Sequence, residues 1–471
     1  MTTVLVTGAN GFIGSHLVRE LHQRGYEVRG LVRHTSDLAS LKCVPVQLYI
    51  GDVTQPETLV EPVKGVDYIY HLAAALLPPD ADTFFAVNTQ GTADLLETVA
   101  QYASSTLKRF LFVSSQAAAG PGQDATPLNE SHLPQPISAY GTSKKLAEEK
   151  VLEYAQQFAV TIVRPSSVYG ERERDLSNTF GLIESRIQPV LGFQEKRLVM
   201  IYVKDLVRGM IAAAESSQSV GRVYFLNHPE VLTAREVTQT IAAVMGKRVG
   251  ISVPTPLFLA RLLAPLAEWQ HRLFRQRPSL TRDKAKELSQ RYWVADPAQA
   301  RIDFGFEARH GLVSGMVPTV AYYRQRQKEL RAMSLEKPTI LWGKYLVCAS
   351  AVGLLIEILS ATGQYYTFNP SWIVLVVIFG AFGAGLGTLA MLLRQRPNLV
   401  QFLVGTAVTA AVELLNEFNY LPFEWQFSPG WPLGITDPVG RPLFLGLAGG
   451  VFILIVNGLL RMLYQRRLRL G

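Results

Sequence analysis

Tyr140 and Lys144 stand four residues apart in Tyr140-Gly141-Thr142-Ser143-Lys144, a spacing that puts both side chains on one face of a helix. A phenol with an unperturbed pKa of about 10 is a weak base at neutral pH. An ammonium on the same face favours the phenolate and lowers that pKa. The tyrosine can then take a proton from an alcohol or return one to a developing alkoxide. Ser115, in Phe112-Val113-Ser114-Ser115-Gln116, offers a hydroxyl that can polarise the reacting oxygen. Its neighbour Ser114 faces the opposite way along an extended chain and is the weaker candidate. Tyr-x-x-x-Lys alone arises often by chance. It gains weight here because it opens a helix after a fifth strand, downstream of a glycine-rich turn.

That turn is Thr7-Gly8-Ala9-Asn10-Gly11-Phe12-Ile13-Gly14, between a β-branched run and an amphipathic helix at the extreme N-terminus. Glycines at G-x-x-G-x-x-G spacing allow a tight turn and close backbone approach to a pyrophosphate, which sits at the positive end of the helix. Gly8, Asn10, Gly11, Phe12, Ile13 and Gly14 are the expected contacts, and the bound group is a nicotinamide dinucleotide. The second strand ends Val28-Arg29-Gly30-Leu31-Val32-Arg33-His34, without the carboxylate that would hold the ribose hydroxyls of NAD; the first acid is Asp37. Arg33 is placed to meet the 2′-phosphate of NADP, so NADP is expected over NAD. After the third strand, Asp52 of Gly51-Asp52-Val53 can hydrogen-bond an adenine amino group, with Val53 beside it. After the fourth, Ala73 and Ala74 of His71-Leu72-Ala73-Ala74 are small enough for close cofactor approach. His71 reads as a strand-end residue, because Tyr140 with Lys144 makes the better base. Lys144 also reaches the nicotinamide ribose, the positive charge of an oxidised nicotinamide adds to the lowering of the phenol pKa, and hydride moves to or from the nicotinamide while Tyr140 moves the proton.

The elements that must position these groups alternate. Strands are expected at Val4–Thr7, Tyr26–Arg33, Val46–Ile50, Asp67–His71, Arg109–Ser114 and Val160–Pro165, with helices at Phe12–Arg24, 82–103 and 138–158. Alternation of this kind implies an α/β fold, a doubly wound parallel Rossmann sheet with its ligand site at the carboxyl ends of the strands. From about 171 the pattern turns irregular: a short strand at 198–203, a helix from Asp205 to Ser216, and another near Thr233 opened by a capping box. We read 1–170 as the NAD(P)-binding core and 171–330 as a small interleaved substrate lobe. The apolar and basic stretch 254–275 is either a lobe helix packed on the core or a membrane-surface helix.

After Pro338 the composition changes. Residues 358–393 and 442–460 carry no charged side chain. About 20 residues of helix cross a hydrocarbon core, and spans are expected near 342–361, 372–393, 399–417 and 443–463, a four-helix transmembrane segment over 338–471. Glu357 and Glu413 fall near the ends of the first and third spans, where they reach headgroups or water. The connection at 394–398 holds Arg394 and Arg396, and the tail holds Arg461, Arg466, Arg467 and Arg469, whereas 362–371 has no Lys or Arg. By the positive-inside rule the catalytic domain and both termini are cytoplasmic.

The formal charge is +8, but its Arg and Lys cluster next to apolar segments, which excludes a nucleic-acid groove reader. Cys43 and Cys348 make neither a disulfide framework nor a zinc site, and no metal is expected. The N-terminus lacks the basic region of a signal peptide.

Taken together, TGANGFIG (7–14), GDV (51–53), HLAA (71–74), VNTQGT (87–92), Ser114-Ser115, SAYGTSKKLAE (138–148), VRPSSVYG (163–170) and IYVKDL (201–206) resemble the extended short-chain dehydrogenase/reductase family, across residues 1 to about 330. Gly122 to Lys144, with Glu130 and Pro136, together with Leu280-Thr281 and Ala300-Arg301 before Phe304-Gly305-Phe306, is most similar to the 3β-hydroxysteroid-dehydrogenase-like and dihydroflavonol-reductase-like members. The resemblance implies triad roles for Ser115, Tyr140 and Lys144. It places Asn88 near the site and Pro165, Ser166 and Ser167 beside the nicotinamide, and it makes Asp205 a residue that closes the lobe. The subgroup implies an apolar alcohol or ketone, such as a sterol, isoprenoid or lipid-like compound. The expected partners are that small molecule and the lipid bilayer, with a homodimer as the candidate assembly and no nucleic acid. Two alternatives stand: a nucleotide-sugar epimerase or dehydratase with tightly bound NAD, and a non-catalytic NADP-binding membrane subunit. Residues 338–471 resemble no family.

Overall fold

Thr3–Thr7 (β1) is a β-branched run buried along its whole length, as a strand covered on both faces must be. Its side chains alternate between two cores. Val4 and Val6 face one cluster, with Leu17, Val18 and Leu21 of the helix Phe12–Gln23 (α1). Leu5 faces the other, with Leu95, Leu96 and Val99 of the helix Gly91–Tyr102 (α2). Each fully buried aliphatic side chain contributes about 1.5–3 kcal/mol, so this alternation fixes which helices cover which face.

The chain was described from a computed structural model, which covers residues 1–335 apart from 43, 77, 79, 174–175, 185–186, 192–193, 248–250 and 256–281. The four expected spans, Glu357, Glu413 and all but the first two residues of 254–275 lie outside the described residues. Among the described residues no helix is long and apolar enough to cross a membrane. Contacts divide the chain into Met1–Gln325 and Arg326–Gly471.

Beyond β1 the main strands are Glu27–Val32 (β2), Gln47–Ile50 (β3), Tyr68–His71 (β4), Arg109–Val113 (β5), Val160–Pro165 (β6) and Arg222–Leu226 (β7). They form one seven-stranded sheet in the order β7-β6-β5-β4-β1-β2-β3. Every pairing is parallel. Strand order reverses between β1 and β4, which opens a crevice at their carboxyl ends. The glycine turn after β1 and the Ala73-Ala74 segment after β4 flank that crevice.

The helix Ala139–Glu153 (α3) packs Ala147 and Val151 into the same core as α2. The helix Val203–Glu215 (α4) packs Leu206, Val207, Met210 and Ile211 beside α1 on the other face. One expected helix, 82–103, is instead three pieces: Asp82–Phe84, a π-helical turn at Phe85–Gln90, and α2. The seventh strand had no place in the sequence reading, since it follows the irregular stretch after 171.

The lobe is built from short pairings. Ser167–Tyr169 runs parallel to Met200–Tyr202, Arg197–Leu198 lies between Leu232–Thr233 and Tyr292–Trp293, and Ile187–Leu191 pairs with Ile251–Thr255. The predicted capping box opens the helix Ala234–Val244, with Thr233 Oγ1 accepting from Glu236 N at 3.1 Å and Glu236 accepting from Thr233 N at 2.7 Å. Leu312, Met316, Val320 and Tyr323 of the helix Leu312–Leu335 fill the lobe core together with Tyr169 and Tyr202.

Candidate active site

The glycine turn is shaped by close backbone approaches. Gly8 has φ +67°, and a Cβ there would lie 3.0 Å from the Ala73 amide nitrogen. A Cβ on Gly14 would lie 2.2 Å from the Gly8 carbonyl oxygen, which allows no side chain. Gly11 N–H donates to the Gly8 carbonyl at 2.9 Å and closes the turn. α1 then begins with no side-chain cap and no acid in its first turn. The amides of Phe12, Ile13 and Gly14 therefore face the crevice at the positive end of a helix dipole. The cradle fits a dinucleotide's pyrophosphate.

Around the cradle, Asn10 donates to the Asp37 carbonyl at 3.3 Å, and its own carbonyl accepts from Ser40 at 3.2 Å. The loop after β2 is thus folded over the turn. Arg33 follows the last residue of β2, its side chain exposed, while its backbone exchanges bonds with Ser36: the Arg33 amide donates to Ser36 Oγ at 3.0 Å and the Arg33 carbonyl accepts from Ser36 N at 2.9 Å. Asp52 turns one carboxylate oxygen to Thr54, at 3.0 Å from both its amide and its hydroxyl. Val53 is buried against Gly91. Ala73 and Ala74 are half-buried. Pro165 ends β6 and is buried, Ser166 has a buried hydroxyl without a partner, and Ser167 is exposed. A buried, unpaired hydroxyl beside the crevice is a group waiting for a hydrogen-bond partner.

His71 holds the β4 end of the crevice. Thr7 Oγ1 accepts from the amides of Leu72 at 3.1 Å and Ala73 at 3.0 Å, so its own proton goes to His71 Nδ1 at 2.7 Å. Thr92 gives its proton to the Asn88 carbonyl at 2.6 Å and accepts from His71 Nε2 at 2.9 Å. With both ring nitrogens committed, the tautomer follows from the network. Burial, and then the Lys144 charge, push the imidazole down to about 3. It stays neutral and structural.

α3 carries the proposed chemistry. Tyr140 is half-buried beside Phe84, ring centroids 5.8 Å apart, and the Ser115 hydroxyl hydrogen-bonds it. Ser115 also caps the short helix Gln116–Ala119, accepting from Ala117 N at 3.1 Å. Ser114 is committed elsewhere, to Glu148 at 2.5 Å. That leaves Ser115 as the hydroxyl facing the site.

Two electrostatic expectations need correcting. Burial pushes the Tyr140 phenol up to about 12, against the lowering effect of the Ser115 bond, and Glu287 adds to the rise. Lys144 is 1% exposed, and burial drops it to about 7 while Glu148 resists. Its amine donates to the Val113 carbonyl at 2.7 Å and lies 4.1 Å over the Phe112 ring. Within the protein alone, burial outweighs the lowering expected from Lys144; the part expected from an oxidised nicotinamide belongs to the bound cofactor. Desolvation penalises both charged forms, and the protein alone holds a neutral phenol.

Two charged groups of the site, Arg164 and Glu148, were given no role by the sequence reading. Arg164 makes a bidentate pair with Glu148, through Nε at 2.9 Å and Nη2 at 2.6 Å, each side chain 5% exposed. Glu148 lies one helical turn beyond Lys144, a spacing that could have flagged it. Asn88, in the π-helical turn, accepts from Ala75 N at 2.7 Å and donates to Ser143 Oγ at 3.0 Å, while Thr89 donates to the Ser143 carbonyl at 2.9 Å. That turn pins α3 beside the crevice, a placement common for π-turns at functional sites. Asp205, fully buried, accepts from His310 N at 2.7 Å and His310 Nδ1 at 2.8 Å and is also bonded by Arg208. It joins α4 to the segment before Leu312.

A dinucleotide cradle at a topological switch point, with a serine–tyrosine contact and a buried lysine on the neighbouring strand end and helix, defines a nicotinamide-dependent oxidoreductase. The comparisons agree. A family model described as the NAD dependent epimerase/dehydratase family matches residues 4–226. The chain is 29% identical over 343 residues to the 3-beta-hydroxysteroid dehydrogenase of Mycolicibacterium neoaurum, covering 68% of this chain and 91% of that protein. It is 30% identical over 324 residues to the ceramide reductase of Caulobacter vibrioides, covering 68% and 94%. The NAD complex of dTDP-glucose 4,6-dehydratase from Bacillus anthracis superposes with a TM-score of 0.57 at 21% identity, over 70% of this chain and 98% of that one, a likeness of fold. The chain belongs to the NAD-dependent epimerase/dehydratase family, within the extended short-chain dehydrogenases/reductases, and is an NAD(P)-dependent oxidoreductase.

Proposed function

We propose that this chain is a membrane-anchored, NADP-preferring oxidoreductase that interconverts a hydroxyl and a keto group on an apolar substrate of sterol, isoprenoid or lipid-like kind. The observation that carries the chemistry is the Ser115–Tyr140 hydroxyl contact beside the Lys144 end of β5. Ser115 orients and polarises the substrate oxygen, and Tyr140 Oη exchanges a proton with it. Lys144, whose amine donates to the Val113 carbonyl at the end of β5, would hold the nicotinamide ribose when the cofactor is bound. A bound nicotinamide supplies or accepts the hydride. Gly8, Gly11, Phe12, Ile13 and Gly14 hold the pyrophosphate, and Arg33 the 2′-phosphate.

The substrate class is supported by two relatives whose names specify a steroid and a ceramide. The charge-free runs at 358–393 and 442–460 support anchoring. The test is a screen of full-length protein against steroid and long-chain lipid ketones and alcohols, with NADPH, NADH and their oxidised forms, followed by nicotinamide absorbance. Cofactor turnover on an apolar compound, lost in Tyr140→Phe, is expected. Equal turnover by Tyr140→Phe overturns the mechanism. Stoichiometric NAD that stays bound through purification, with turnover of a nucleotide sugar alone, overturns the substrate class in favour of an epimerase or dehydratase.

A further inference from the structure

α3 begins beneath a short lobe helix, Arg282–Ser289, that lies 144 residues away in sequence. The first amides of a helix have no intrahelical acceptors. Here they are taken by side chains from two sources. Ser138 Oγ, the local cap, accepts from Gly141 N at 3.0 Å. Asp283 Oδ2 accepts from Ala139 N at 2.8 Å and from Tyr140 N at 3.3 Å. One turn along the same lobe helix, Glu287 Oε1 accepts the Ser138 hydroxyl proton at 2.7 Å. The lobe therefore grips both the cap residue of α3 and the amide of Tyr140 itself.

The lobe helix is held in turn. Trp293 Nε1 donates to the Glu287 carbonyl at 3.0 Å, and the Lys196 amine bonds the Leu288 carbonyl. Both donors sit in or next to the three-stranded lobe sheet.

We propose that Asp283 and Glu287 are positioning residues that make the placement and protonation of Tyr140 depend on the lobe. This rests on the reading of Tyr140 as the proton-exchanging group. The Glu287 carboxylate, held on the Ser138 cap, opposes ionisation of the phenol and adds to the larger effect of burial, so the lobe helix helps keep Tyr140 a proton donor, fitted to deliver a proton to an oxygen acquiring charge. Among the described residues the groups facing the phenol are few. Ser115 hydrogen-bonds it from the end of β5 and lowers its pKa, while Glu287 raises it from the lobe. Glu287 is partly screened by Lys284 at 3.5 Å, and Asp283 by Lys286 at 3.8 Å. Lys144, on the tyrosine's own helix, turns to the Val113 carbonyl. Phe84 packs from the fourth side, and Asp82 of that helix is exposed.

The test needs no substrate. Full-length protein carrying isotope-labelled tyrosine is titrated by NMR, with Tyr140→Phe identifying the resonance. Glu287→Gln should lower the Tyr140 pKa by about 0.5–1 unit, and Glu287→Asp should restore most of the shift. Asp283→Asn, which can keep one oxygen on both amides but removes the charge, should move the Tyr140 resonance while leaving NADPH binding within about twofold. If Asp283→Asn fails to fold, Glu287→Gln leaves the amide cap in place and still decides the matter. An unchanged titration in Glu287→Gln overturns the proposal, as does an unchanged resonance in a folded Asp283→Asn. The underlying reading fails separately: a shifted titration with full lipid-ketone turnover by Tyr140→Phe keeps the positioning and removes the catalytic role.

Discussion

The cradle and the catalytic helix sit at the same crevice but are assembled in opposite ways. The cradle is local: β1, the glycine turn and α1 are consecutive, and the closing contacts run from Gly8 to Gly11, Gly14 and Ala73. The catalytic helix is held from a distance. Beyond its local Ser138 cap, its first two amides are taken by Asp283, its middle is tied by Asn88 and Thr89, and its Glu148 is locked to Arg164. A binding site for a constant ligand can be written into a short motif. The helix that carries the proposed reacting group is instead wired to the lobe.

The strongest way to sharpen this contrast is to remove the phenol alone. Tyr140→Phe should lower kcat by about a thousandfold, the loss expected for a general acid, with NADPH affinity measured by fluorescence quenching left within about twofold. Loss of both together would mean that the two regions are one unit and the contrast false.

Next is the long-range tether. Glu148→Ala leaves the Arg164 guanidinium buried without a carboxylate and takes the acceptor from Ser114. Breaking such a buried pair costs about 3–5 kcal/mol, read as a large fall in the thermal midpoint. A loss under about 1 kcal/mol would show that the pair does not hold α3.

Lys144 gives a pH signature. Its folded pKa, about 7, lies below the ordinary lysine value of 10.5. Between those values the unfolded chain binds the proton and the folded chain does not, so stability should rise with pH across that window, by at most about 1.4 kcal/mol per unit. The penalty is present in full below pH 7 and is relieved as pH climbs. Lys144→Met should lack the rising slope. Parallel stability curves for the two proteins would place the burial cost elsewhere.

The sequence made the cradle and six strands legible, because β-branched runs and glycine spacing act over a few residues. Ser115, Tyr140 and Lys144 were legible for the same reason. The field around them was not. The expectation of an acidic phenol counted the charges of Lys144 and an oxidised nicotinamide and left out burial, which works on both side chains at once and, within the protein, raises Tyr140. Asp283 had no local signal at all. An aspartate near a helix start is ordinary, and only the tertiary fold brings it to the Ala139 and Tyr140 amides. The π-helical turn hid inside an apolar pattern that continued smoothly from 82 to 103.

The smallest effect tests the edge of the cradle where local reading reaches furthest. Arg33 is exposed, makes no side-chain bond among the described residues, and follows directly on the last residue of β2. The nearest following acid, Asp37, has one oxygen engaged by Ala39 N at 2.9 Å and sits on the loop folded over Asn10. A guanidinium free at this corner suits a 2′-phosphate, but water screens an exposed pair and leaves it worth little more than 1 kcal/mol. Arg33→Ala should therefore weaken NADPH by about tenfold and leave NADH unchanged, measured as two dissociation constants on the same preparation. An equal loss for both cofactors would make Arg33 a general support of the loop. The choice of dinucleotide would then have to be set by groups that a reading along β2 does not reach.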